Sequence, residues 1–315
     1  MKYSYDAYKN LVVDKLEELL GKETVKSVSS TKNNGVKEDG VLMRVREGNM
    51  SPIMYFYDDS EKIYDDDDVE SFVERALNVY EDARCNKGID VDVLCDWKMV
   101  KKYVRPKVMN YKKNEEILKD YPHVRIMDLA VTFAINSENI FPDYGDGCIR
   151  VTEFLRKSFD VDTDTLYKQA VENMEREGYA FTPMSRILSL LGEEEYIDNA
   201  EAPKDILHFL TCYESVGGAV ALLSNKILSE VCQTMNCERI FLLPSSINEV
   251  LTLNAAEMEV EKLQKLVKDV NGAIILPEEY LSDSVYLYDS VTGQLKNMGG
   301  IDDEQNGFDY LGCIA

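Results

Sequence analysis

The sequence predicts an α+β fold, with mixed or antiparallel sheets and packed helices, divided into two domains. Three observations carry that expectation. Between Ile206 and Met298 the residues read strand, Gly-Gly turn, amphipathic helix, two strands, helix and hairpin, with turn residues at nearly every boundary. Strand patterns are joined by short turn signals such as Asn34-Gly35, which favour antiparallel hairpins. A chain of 315 residues with 45% hydrophobic content can fill two cores, expected in domains at 1–120 and 121–300, ahead of an acidic tail at 301–315.

In chain order, Ala7, Leu11, Val12, Leu16, Leu19 and Leu20 line one side of a helix from Asp6 to Leu20 that Gly21 closes. Val25 to Ser29 and Val36 to Val45 read as strands around Thr31-Lys32-Asn33-Asn34-Gly35, and Pro52 to Tyr57 alternates as a third. Asp65 to Asp68 places carboxylates on the positive end of a helix continued by Val69, Phe72, Val73, Ala76, Leu77 and Tyr80. Trp97 to Tyr103 is helical in pattern, Arg105-Pro106 breaks it, and Asn114 to Leu118 forms a short helix. Leu129, Val131, Phe133 and Ile135 alternate as in a strand, although Ile126, Leu129, Ala130 and Phe133 also suit one helical face.

Beyond a loop at Pro142 to Gly147 and an apolar segment at Cys148 to Phe154, Asp162 or Thr163 caps a helix that ends at Gly178. Asp160, Asp162 and Asp164 imitate the start of an EF-hand loop. Thr165 replaces its glycine and Val171 its closing Glu, so no calcium loop is expected. Pro183 to Leu191 is a further short helix, and Gly192 to Glu195 opens an acidic link. Ile206 to Tyr213 is a strand, followed by a long helix from Ala219 to Met235 and strands at Ile240 to Leu243 and Val250 to Leu253. Asn254 and Glu257 have the form of a capping box for a helix through Val270, with Asn271-Gly272 as its end, and Val285 to Asp289 pairs with Gln294 to Met298 as a hairpin.

The formal charge of -23 argues against a nucleic-acid backbone or an anionic membrane as partner, since phosphate binding needs clustered Lys and Arg. A basic protein partner stays open. No run of about 18 apolar residues occurs, and the first residues lead into no signal-peptide core. Seven cysteines at irregular spacing read as reduced thiols, which together point to the cytoplasm. The basic group Lys98, Lys101, Lys102, Arg105, Lys107, Lys112 and Lys113 is either a solvated face or an anion site.

Candidate chemistry is sparse. With only His123 and His208, a multi-histidine metal site is not expected, no metal or cofactor is assigned, and any imidazole dyad must use one of the two. His208 and Cys212 share a strand face but stand about 13 Å apart at about 3.3 Å per residue, too far to form a dyad. Cys232 and Cys237 lack CxxC spacing, and Cys232 belongs to an apolar stripe, so packing accounts for it. Ser215, Gly217 and Gly218 precede a helix and could offer N–H groups to an anion, without the P-loop lysine. Ser245, Ser246 and Glu249 lie at a strand end, where active-site groups gather, although Pro-Ser-Ser is also an ordinary turn.

Several segments carry a resemblance: Thr31 to Val36, Asn110-Tyr111-Lys112-Lys113-Asn114, Pro122 to Arg125 running into Asp128-Leu129-Ala130, Leu243-Pro244-Ser245-Ser246 with Glu249, and Leu281-Ser282-Asp283 running into Val285 to Tyr288. In these the chain resembles an uncharacterised domain-of-unknown-function family of anaerobic gut Firmicutes. The resemblance spans most of the chain and implies a bacterial cytosolic origin and no particular activity. It also implies that relatives often carry His immediately before the Glu, where this chain has Asn248, which leaves histidine chemistry there unsupported. Two functions remain: a non-enzymatic protein-binding module, favoured by the charge and the missing catalytic set, or a hydrolase or transferase with a site near Ser215, Ser245 and Glu249.

Overall fold

The computed structural model describes residues 1–46, 48–57, 62–86, 88–138, 140–142, 147–190, 206–212 and 217–299. Ser215, the link at 192–195 and the tail from 301 therefore lie outside the described residues. The fold is α+β, in two compact units at Met1–Leu94 and Cys95–Ala315. That division falls ahead of the expected 120/121 boundary. The stretch from 104 to 110 pairs along its whole length with 129–136, so it belongs to the second unit.

In the first unit, β1 (Lys2–Tyr3) precedes α1 (Tyr5–Leu20). Ser4 caps α1 by accepting from the Ala7 amide, and Gly21 ends it at φ 89°, a conformation that favours glycine. β2 (Val25–Thr31) and β3 (Lys37–Met43) form the expected hairpin, in register from Val25↔Met43 to Thr31↔Lys37, and β4 (Ile53–Tyr55) adds to β3. β5 (Tyr64–Asp65) leads into α2 (Asp66–Cys85), whose capping box pairs Asp65 with Asp68. Such a cap contributes about 1 kcal/mol. Tyr8, Val12 and Leu16 of α1 meet Val41, Met43, Phe56, Phe72 and Val73 in one core, where Tyr8 stacks on Tyr64 at 4.3 Å and Phe56 on Phe72 at 4.7 Å.

After α3 (Val91–Cys95) and α4 (Trp97–Val100), the expected break at Arg105-Pro106 is instead the middle of a strand, β6 (Val104–Asn110). β6 is an edge strand, where a residue lacking an N–H is tolerated. Its neighbour β8 (Leu129–Asn136) is buried on both faces up to Ile135, which explains the ambiguous pattern read there. β7 (Val124–Ile126) and β9 (Cys148–Arg150) pair with β8, and α5 (Glu115–Leu118) lies between β6 and β7 in the chain. α6 (Glu153–Ser158) precedes α7 (Thr163–Glu177), which Asp162 caps as expected through the Thr165 amide. Buried Asn173 of α7 donates to the carbonyls of Lys101 and Val104 and so ties helix to strand.

The second sheet is antiparallel throughout, in the order β10-β11-β13-β12-β14-β15. Its strands are β10 (Tyr179–Pro183), β11 (His208–Cys212), β12 (Arg239–Leu243), β13 (Val250–Asn254), β14 (Tyr286–Asp289) and β15 (Gln294–Asn297). α8 (Met184–Leu190) follows β10. The expected long helix at 219–235 is split: a 3-10 segment, Gly218–Leu223, gives way at Ser224 to α9 (Asn225–Thr234). Ser224 accepts from the Ile227 amide, a fresh N-cap that ends one helix and starts another. The expected capping box at Asn254 is also replaced. Asn254 turns back to accept from Ala256, and α10 (Val260–Ile274) begins after Glu259 and runs beyond Asn271-Gly272. Leu263 and Val267 of α10 cover one face of the sheet through Phe241, Leu243, Leu253 and Val285. Among the described residues no helix is long and apolar enough to cross a membrane.

Candidate functional site

Polar residues gather at one end of the six-stranded sheet, where the β12–β13 turn at 244–249 meets the loop at 276–285. The two segments are zipped by backbone bonds, Ile247 N to Glu279 O and Leu281 N to Ser245 O, both 2.9 Å, with an antiparallel bridge between Ser246 and Tyr280. The register of β11 on β13, Leu210↔Val250, brings the end of β11 alongside them. All of this follows from antiparallel pairing: neighbouring strands deliver their turns to a common end.

Ser245 and Ser246 are buried, 5% and 2% exposed. The Ser246 hydroxyl accepts from the Asn248 amide at 3.0 Å and donates to Glu249, which orients the carboxylate. Burial pushes the Glu249 carboxyl above its ordinary range, the charge of Glu279 beside it pushes the same way, and the Ser246 bond opposes both. Asn248 holds the arrangement together. Its Nδ2 donates to Glu279 Oε1 at 3.1 Å, its Oδ1 accepts from the Gly217 amide at 3.2 Å, and its carbonyl accepts from Thr211 Oγ1 at 2.9 Å.

Gly217 is left-handed at φ 85°. A Cβ on Gly218 would fall 1.8 Å from Thr211 Oγ1 and 2.6 Å from the Asn248 carbonyl, so these glycines serve a close backbone approach. The Gly217 amide, a candidate anion donor in the sequence, is directed to Asn248. The helix behind it is the six-residue 3-10 segment Gly218–Leu223. His208 stacks on Phe181 at 4.6 Å and lies opposite Thr252. It is three residues from Thr211, hence on the other strand face and about 10 Å along it. His123 Nδ1 lies 2.9 Å from the Tyr121 carbonyl. The structure thus brings Ser246 and Glu249 together and leaves His208 out.

The basic group disperses among different contacts. Arg105 Nε donates to Glu177 at 2.7 Å, Lys102 lies 4.7 Å from the Tyr103 ring centroid, and Lys113 lies 3.9 Å from that of Tyr280. Lys107 extends toward Gly217, where an added Cβ would meet its Nζ at 3.2 Å. Among the described residues no group of three His, Cys, Asp or Glu side chains is placed to hold a metal. Asp162, whose spacing imitates a calcium loop, caps α7 instead.

A second carboxylate supports the same loop from the four-stranded sheet. Asp128 sits in the two-residue turn between β7 and β8, after Met127 at φ 52°. It accepts hydroxyl bonds from Ser282 at 2.5 Å, Ser284 at 3.2 Å and Tyr286. Asn110 Nδ2 donates to the Leu281 carbonyl at 2.9 Å, and Asn271 of α10 donates to the Ser282 carbonyl at 2.9 Å. Burial, with Asp283 and Asp128 nearby, pushes the Tyr280 phenol upward. Asp128, Glu279 and Tyr286 were not among the sequence candidates.

Four of the five segments that carried the resemblance therefore contribute to one place: 110–114, 122–130, 243–249 and 281–288. A family model matches residues 5–290 and bears that resemblance out. The chain belongs to DUF5688, a family of unknown function. No curated protein and no solved structure matches the chain. Within this DUF5688 chain, Asn248 occupies the position before Glu249 and uses its backbone N–H, its carbonyl and both side-chain polar atoms to bind neighbours in the site. The scaffold is thus built on a carboxamide, with carboxylates held to either side.

Proposed function

We propose that the protein is a binding module whose site at Glu249 and Glu279 receives a lysine or arginine from a basic segment of a protein partner. The observation that carries the reading is the carboxylate pair: Asn248 holds Glu279 and Ser246 holds Glu249, so two like charges are kept together. Among the described residues no ion pair joins either one to a cation. A guanidinium or ammonium between them would replace repulsion with charge-assisted hydrogen bonds. Exposed Leu276 supplies an apolar neighbour to Glu279, whose amide donates to the Leu276 carbonyl. The charge of -23 steers a basic partner inward. The irregular spacing of the seven cysteines supports a reducing compartment such as the cytoplasm.

The test is calorimetric titration with arginine- and lysine-bearing peptides at near-physiological salt. Glu249→Gln with Glu279→Gln should weaken binding at least about tenfold, the scale of one lost charge-assisted contact. The control Asp67→Asn with Glu74→Gln removes equal charge from α2 and should leave affinity nearly unchanged. Equal losses in both would reduce the effect to net charge and end the proposal.

One observation favours a second reading, hydrolysis or group transfer at the same pair. Burial beside Glu279 keeps Glu249 protonated to higher pH, as a general acid requires. A substrate whose turnover disappears in Glu249→Gln, with peptide affinity unchanged, would replace the binding reading.

A further inference from the structure

Away from the carboxylate pair, the C-terminal end of α9 brings two thiols together. Asn236 is left-handed at φ 51°, and the Cys237 amide donates to the Cys232 carbonyl at 3.0 Å. This is the six-to-one bond of a Schellman turn, in which the side chains flanking the turn come into contact. Here both are cysteines, so the turn sets the two thiols side by side, and the Cys232 thiol donates to the Glu238 carbonyl at 3.9 Å. The spacing has no CxxC form because the left-handed turn, rather than a helix N-terminus, creates the proximity.

The two thiols differ in access. Cys232 is 1% exposed, whereas Cys237 is half-buried. Both line an open hollow of ≈ 560 Å³ with Ser229, Asn236, Glu238 and Ser290. That size lies in the range of small-molecule sites. We propose that Cys232 and Cys237 form a reversible disulfide by exchange with a low-molecular-weight disulfide, such as glutathione disulfide, that enters this hollow.

The exchange balances in two steps. The Cys237 thiolate attacks one sulfur of glutathione disulfide, and the S–S bond breaks to release one glutathione thiolate. The Cys232 thiolate then attacks the Cys237 sulfur of the mixed disulfide and expels the second glutathione. The two protons of the protein thiols end on two glutathione thiols; the protein pair is oxidised and the reagent reduced. Burial holds both thiols protonated at neutral pH, pushing Cys232 up to about 12 and Cys237 upward as well. Tyr288 of β14 reaches the helix that carries Cys232 by bonding Ser229, and Glu238 lines the hollow; the Asp289 charge adds to the upward push on Cys232. Exchange is therefore slow at neutral pH and accelerates about tenfold per pH unit, with the thiolate fraction.

The experiment uses the full chain with glutathione disulfide at neutral and mildly alkaline pH, followed by alkylation, digestion and mass spectrometry. In the native protein, the peptide containing both residues should become two hydrogens lighter and carry no glutathione. Exposed Cys85 and Cys148 should retain it as mixed disulfides. Cys232→Ser should trap glutathione on Cys237, whereas Cys237→Ser should leave Cys232 unmodified. Circular dichroism on both variants checks that α9 persists. A native peptide that stays reduced, keeps glutathione or links to another cysteine overturns the proposal.

Discussion

Asp128 and Glu249 are carboxylates that support the same loop at 276–285, and their surroundings act on them in opposite ways. Asp128 accepts three hydroxyls, from Ser282, Ser284 and Tyr286, and these donors match its negative charge. Glu249 accepts one hydroxyl, from Ser246, and faces a second carboxylate, Glu279. The first arrangement stabilises the fold through hydrogen bonds to a charged acceptor, each contributing about 1.5–3 kcal/mol. The second opposes the fold and is held in place by its neighbours, which is the sign expected of a group retained for a ligand. Proximity of a carboxylate to a loop therefore says little about its role. What the neighbours present, hydroxyl donors or a second carboxylate, distinguishes a staple from a site.

The largest effect that tests this contrast is Asp128→Ala. Buried Ser282, Ser284 and Tyr286 would lose their common acceptor, and denaturant unfolding should show a loss of about 3–5 kcal/mol. A loss below about 1 kcal/mol would mean that water replaces the carboxylate and that the cluster is no staple.

Gly218→Ala comes next and acts on the carboxylate-pair side. Thr211 can turn its hydroxyl aside, but the Asn248 carbonyl, 2.6 Å from the new Cβ, is backbone and has to shift. Overpacking of this kind costs about 1–3 kcal/mol. Because Asn248 also holds Glu279, peptide binding should weaken along with stability. Loss of stability with unaltered binding would separate the glycine from the site.

Tyr286→Phe removes one of the three donors to Asp128 and keeps the ring, which is 0% exposed. Two hydroxyl donors remain, so the expected loss is about 1–2 kcal/mol, smaller than for Asp128→Ala. The pair of variants forms most of a double-mutant cycle: if Tyr286 acts through Asp128, adding Tyr286→Phe to Asp128→Ala should cost almost nothing more.

The sequence makes legible whatever has a local cause. Gly21 after an apolar stripe, Asp65 before acidic residues and Asp162 before a periodic run each mark a helix end within a few residues, and the structure places caps there. The hairpin of β14 and β15 is likewise local. β6 was hidden because Pro106 signals a break, and only the distant pairing with β8 reveals an edge where proline fits. β10 was hidden because its partner β11 lies beyond α8. The strand-end position of Ser245, Ser246 and Glu249 could be read, but the burial of both serines could not, since it depends on the loop at 276–285. Glu279 and Asp128 were illegible for the same reason: Asp128 meets Ser282 across 154 residues. Asn248 and Glu279 are separated by 31.

The smallest expected change has the opposite sign and is the sharpest test of the contrast. Burial, and then Glu279, raise the Glu249 carboxyl above its unfolded value of 4.5, so the folded state binds this proton more tightly than the unfolded chain. The stability from Glu249 is therefore fully present below the unfolded value and is lost as pH rises through the folded one. Glu249→Gln resembles the protonated form at every pH. It should match the native protein in acid and melt at a higher temperature near neutrality, with the gap opening across the interval just above 4.5. The same substitution should weaken binding of a basic peptide, because the repulsion that lowers stability is what a bound cation relieves. A variant that is less stable than the native chain at neutral pH would make Glu249 a staple like Asp128, and the distinction between the two carboxylates would vanish.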